Sequence, residues 1–63
     1  MKLESNASIK TRISNFTGFR TSEITLMEAS YSGGICTHVD FVVKGKGFFT
    51  DFVIWGFNPV WDN

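Results

Sequence analysis

The chain has 63 residues, 43% of them hydrophobic and 16% aromatic, and six basic residues balance six acidic ones to a formal net charge of zero. That length makes residues 1–63 one small domain near the lower limit for independent folding, with no room for a second core. The lone Cys36 excludes an internal disulfide, the lone His38 excludes a zinc-finger ligand set, and the neutral balance lacks the basic excess on which a dedicated nucleic-acid binder depends.

The opening MKLESNASIK carries no apolar core of a secretory signal, and no apolar run reaches the ~18 residues of a membrane span. A lone thiol suits a reducing compartment, so the expectation is a cytoplasmic protein. Charge is nevertheless uneven. Lys2, Lys10, Arg12 and Arg20 face only Glu4 in the first third, whereas Glu23, Glu28, Asp40, Asp51 and Asp62 outnumber Lys44 and Lys46 in the remainder.

Turn signals at Thr17-Gly18, Ser32-Gly33-Gly34, Gly45-Lys46-Gly47 and Asn58-Pro59 divide the chain into strand-length segments. In the first, ASIKTRISNF, Ile9, Thr11 and Ile13 alternate with Lys10, Arg12 and Ser14, which predicts a half-exposed edge strand guarded by its basic side chains. The second, TSEITLMEASY, alternates Ile24 and Leu26 with Thr25 and Met27 and reads as a strand; the other reading of residues 22–31 is one short helix capped by Ser22.

The third segment, ICTHVDFVVK, sets Ile35, Thr37, Val39, Phe41 and Val43 on one face and Cys36, His38, Asp40, Val42 and Lys44 on the other. The fourth, FFTDFVIWGF, sets Phe48, Thr50, Phe52 and Ile54 against Phe49, Asp51, Val53, Trp55 and Phe57. A hairpin centred on Gly45-Lys46 pairs Val43 with Phe48, Phe41 with Thr50, Val39 with Phe52 and Thr37 with Ile54, which makes one face almost wholly apolar.

The expected architecture is mainly β, a four-stranded antiparallel meander in a small twisted sheet or half-barrel. A lone sheet cannot cover its own apolar face. It must curl, pack beneath a helix from residues 22–31, or pair with a second copy. The aromatic surplus favours the last, a homodimer.

Two motifs raise chemical questions. Cys36, His38 and Asp40 alternate along one strand with Asp51 opposite, a set that suggests a metal site or a His-activated thiol. Side chains two residues apart on a strand start roughly 7 Å apart, and so short a chain leaves little material for a cleft or oxyanion donors. No catalytic residue, metal or cofactor is therefore assigned. The stretch KGKGFFTDF resembles the basic, glycine and aromatic opening of the RNA-recognition motif's central strand, but Lys46 and Asp51 stand where stacking aromatics are required. The chain also lacks that family's βαββαβ order, so the glycines read as a hairpin turn and the phenylalanines as a core strand.

At the C-terminal end Trp61 follows a proline, as a lid over the sheet or as a binding anchor. These features point to a small non-catalytic interaction protein that binds and regulates or inhibits a larger protein, of the kind viruses encode. Its expected contacts are Asp40, Phe49, Asp51, Trp55, Phe57 and Trp61. The alternative is a nucleic-acid-binding module using Lys10, Arg12, Arg20, Lys44 and Lys46, with Phe19 and Phe49 as stacking rings.

Overall fold

The computed structural model describes residues 2–54. It is mainly β, with one helix: α1 (Asn6–Thr17), a single 3-10 turn at Thr21–Glu23, and the strands β1 (Ile24–Ser32), β2 (Ile35–Val43) and β3 (Gly47–Val53). The strands form an antiparallel meander in the order β1-β2-β3. Among the described residues there are three strands, not the expected four.

The segment expected to be the first strand is α1. Ser5 caps its start by accepting a hydrogen bond from the Ser8 N–H at 3.2 Å. Gly18 ends it in the left-handed conformation, with φ of 85°. Ile9, Arg12 and Ile13 are its buried residues, the i, i+3, i+4 stripe of a helix. Because the i+3 position is an arginine, only Ile9, Thr11 and Ile13 register as an apolar pattern, and they mimic the period of a strand. Residues 22–31 do supply a strand, after a short 3-10 turn, and not the alternative helix.

The helix covers one face of the sheet. Ile9 and Ile13 pack into a single core with Ile24, Cys36, Val39, Phe41, Val43 and Ile54, and Phe19, Leu26, Tyr31, Phe49 and Phe52 close around it. Fully burying side chains of this size stabilises the fold by about 1.5–3 kcal/mol each. The face that a second copy was expected to cover is thus covered from within the chain.

The two hairpins differ. Gly33 and Gly34 both have positive φ, 61° and 88°, and join the paired residues Ser32 and Ile35 in the two-residue turn whose twist matches its strands. The β2–β3 turn closes with the Lys46 N–H on the Val43 carbonyl at 2.8 Å, with Gly45 at φ 79° where a side chain would be strained.

This second turn is one residue tighter than expected. Val43 pairs with Gly47 and Phe41 with Phe49, and a bulge then restores the anticipated Val39–Phe52 pairing. Phe48 and Phe49 therefore exchange faces. Phe49 stacks on Phe41 with ring centroids 5.1 Å apart, and Phe48 turns outward.

A buried ion pair fixes the helix on the sheet. The Arg12 guanidinium lies 2.8 Å from the Glu4 carboxylate, and their side chains are only 2% and 4% exposed. Arg12 also donates to the Cys36 carbonyl at 3.1 Å, while Glu4 accepts from the Cys36 N–H at 2.9 Å and from the Ser8 hydroxyl at 2.7 Å. The Glu4 N–H donates to the Gly34 carbonyl at 2.7 Å. At Gly34 a Cβ would stand 2.7 Å from the Lys2 carbonyl oxygen, so only glycine lets the N-terminal segment lie so close.

Removing one partner leaves the other buried without its opposite charge. Arg12→Leu or Glu4→Met alone should cost about 3–5 kcal/mol in urea unfolding, a large share of the stability of a domain this small. The double variant Glu4→Met/Arg12→Leu should recover most of that loss, because an apolar pair removes both charges at once.

Candidate functional site

The sheet face opposite α1 carries the exposed chemistry. Along β2, Val39, Phe41 and Val43 point into the core, and His38, Asp40 and Val42 between them lie on the outer side. Thr25 and Phe48 flank Val42 in the ladder, and Ser30 and Val53 flank His38. Met27 and Phe48 are the most exposed large apolar residues here, at 56% and 57%.

Asp40 is the pivot of this face. On the β1 side the register shifts between Leu26 and Ala29, so Met27 and Glu28 oppose it. On the β3 side it shifts between Val39 and Phe41, so Thr50 and Asp51 oppose it. Two neighbouring strands are thus bulged against one residue of the middle strand, and each bulge sharpens the local twist.

The β3 bulge is held by side chain to main chain. The Asp51 N–H donates to Asp40 Oδ1 at 2.7 Å, and Asp51 has φ of 51°, a conformation that aspartate tolerates better than most residues. The expected meeting of two carboxylates is relieved in this way, since one of them turns to the backbone amide of the other. Glu28, Ser30, His38, Asp40, Thr50 and Asp51 line a concavity of about 370 Å³ between the bulges. The Nδ1 of His38 lies 3.0 Å from the Thr37 hydroxyl.

Cys36 does not belong to this face. A further register shift between Ser30 and Tyr31 turns it into the core, where it is fully buried and its thiol donates to the His38 carbonyl at 3.3 Å. Burial pushes the thiol pKa up and the nearby Glu4 carboxylate pushes the same way, partly offset by the Arg12 guanidinium. The geometry that would let His38 activate Cys36 is therefore absent. No group of three or more His, Cys, Asp or Glu side chains among the described residues is placed to hold a metal ion.

The other sequence-derived residues scatter. Asp40 and Asp51 come together on the outer face, whereas Phe49 is drawn to the inner side, 5.5 Å from Phe19. Phe19 and Phe49 thus pack on each other and on the core instead of offering stacking platforms. Trp55, Phe57 and Trp61 lie outside the described residues. Of the basic set, Arg12 is buried in its ion pair and is no surface cation, while Arg20, Lys44 and Lys46 are exposed and Lys10 is half-buried.

Met27, Glu28, Val42 and Phe48 were missed as site residues. Phe48 was misplaced by the one-residue difference in the turn, and nothing in the letters Met27-Glu28 marks a bulge. Comparison with family models, with curated proteins and with solved structures gave no match.

The state of Cys36 is measurable. In the folded chain at neutral pH it should react far more slowly with a thiol-specific disulfide reagent than in the chain unfolded by urea. Its raised pKa means that folding favours the protonated thiol. That contribution is complete below the ordinary thiol pKa of ~8.5 and is lost as pH rises through the folded value. Cys36→Ala should flatten this alkaline part of the stability profile.

Proposed function

We propose that the chain is a small non-catalytic interaction module that binds a larger protein through the outer face of its sheet and regulates or inhibits it. The observation that carries this reading is the exposure of Met27 and Phe48 on a face that the chain's own helix leaves uncovered, with Val42 between their strands. Exposed aromatic and methionine side chains around charged groups are the usual composition of a protein contact. Among the described residues the concavity is open to solvent, and the Cys36 thiol is buried away from it.

The homodimer expected from the sequence loses its original purpose, because α1 already covers the inner face. One pairing for a second copy is through the outer face. Asp40 stands at the middle of that face, so a two-fold axis there sets the acids of one copy beside those of the other. The proposed acting form is the monomer. The nucleic-acid reading keeps only Lys10, Arg20, Lys44 and Lys46, without Arg12 and without exposed stacking rings at Phe19 and Phe49.

Two measurements check the proposal. Sedimentation should give the 7.1 kDa mass of one chain; twice that mass reinstates the homodimer. A tagged chain should retain a stoichiometric protein from host lysate with or without nuclease, and Phe48→Ser should lose it while the thermal melt is unchanged. Recovery of nucleic acid, or loss of every partner on nuclease treatment, overturns the proposal.

A further inference from the structure

We infer that the outer face takes a basic amphipathic protein segment, seating an arginine or lysine in the concavity around Asp40 and apolar side chains on Met27, Val42 and Phe48. The inference rests on the reading of this face as a protein contact and adds the chemistry of the partner.

Charge is the first support. Three carboxylates, Glu28, Asp40 and Asp51, line the concavity, and among the described residues no lysine or arginine lines it. The single imidazole there, His38, is turned towards the Thr37 hydroxyl. Asp40 has committed Oδ1 to the Asp51 N–H, which holds its carboxylate in place without neutralising it. A guanidinium or ammonium group entering from solvent would meet fixed acceptors and relieve the repulsion among three like charges gathered by the bulges.

Shape and position are the second support. The concavity exists because both neighbouring strands bulge against Asp40, so it lies over the middle strand and not at a sheet edge. Met27 adjoins Glu28 in the β1 bulge, and Val42 and Phe48 form a cross-strand pair two residues along β2 from Asp40. Two residues along a strand is roughly 7 Å, within the span of neighbouring side chains on one partner segment. A cation and an apolar side chain of the same segment can therefore be engaged together. An acidic or purely apolar segment would leave the three carboxylates desolvated and unpaired, a cost that sets specificity.

The test titrates two synthetic peptides, one alternating arginine with leucine and one alternating glutamate with leucine, into the isotopically labelled full chain while amide shifts are followed. The arginine–leucine peptide should shift Met27, Glu28, Val42, Phe48 and Asp51 and bind at least about tenfold more tightly than its acidic counterpart. The double variant Glu28→Gln/Asp51→Asn should weaken that binding by about tenfold with an unchanged melting temperature, since asparagine keeps the positive φ of residue 51 accessible. Phe48→Ser should weaken it separately. Equal binding of the glutamate–leucine peptide overturns the basic partner while leaving the outer face as a docking surface. Shifts confined to α1 or to the Lys44–Lys46 turn overturn the assignment of the face. If neither peptide shifts any amide while the lysate partner is still retained, the chemistry proposed here fails and the interaction reading stands.

Discussion

The structure turns on one buried ion pair. Glu4 and Arg12 meet away from water, and both are tied to the main chain of Cys36, the first core residue of β2. Desolvating two charges is expensive, and an apolar pair of the same volume would give back most of the stability that the ion pair supplies. What the pair supplies is register. Its hydrogen bonds fasten to the amide and the carbonyl of Cys36 in β2, which sets the height and rotation of α1 and brings Ile9 and Ile13 into one core with Val39 and Phe41. Gly34 completes the arrangement by admitting the Lys2 carbonyl to a distance that a Cβ would forbid.

The second organising feature is the set of register shifts among the three strands of the described residues. Between β1 and β2 the shift at Met27-Glu28 is cancelled by another at Thr37, and between β2 and β3 the shift falls at Thr50-Asp51. Each one moves side chains from one face to the other. The cancelling pair brings Cys36 into the core, and the β3 bulge lets both Phe49 and Phe52 pack against Phe41. The residues left over, Glu28, Asp40 and Asp51, gather on the outer face. Core packing and the acidic concavity are two consequences of the same irregularities.

The division of labour between the faces follows. The inner face is closed by α1 and keeps its thiol and its ion pair from solvent. The outer face presents apolar side chains around an acidic centre, all carried on the strands of the sheet. Among the described residues no helix is long and apolar enough to cross a membrane.

The sequence by itself determined the β2–β3 hairpin, because Gly45 and Gly47 punctuate two strongly β-prone runs, and it determined the Val39–Phe52 pairing, because register follows the apolar alternation. It also placed Asp40 beside Asp51. It concealed α1, since Arg12 occupies a buried helical position where hydropathy expects an apolar residue, and its partners there, Glu4 and the Cys36 carbonyl, are brought to it by the fold. It concealed the bulges too, because a one-residue insertion leaves composition and propensity unchanged and is selected by how side chains pack across the ladder. Which phenylalanine is core and which is surface, whether Cys36 is reactive or sequestered, and which acids share a concavity were therefore decided only by tertiary packing.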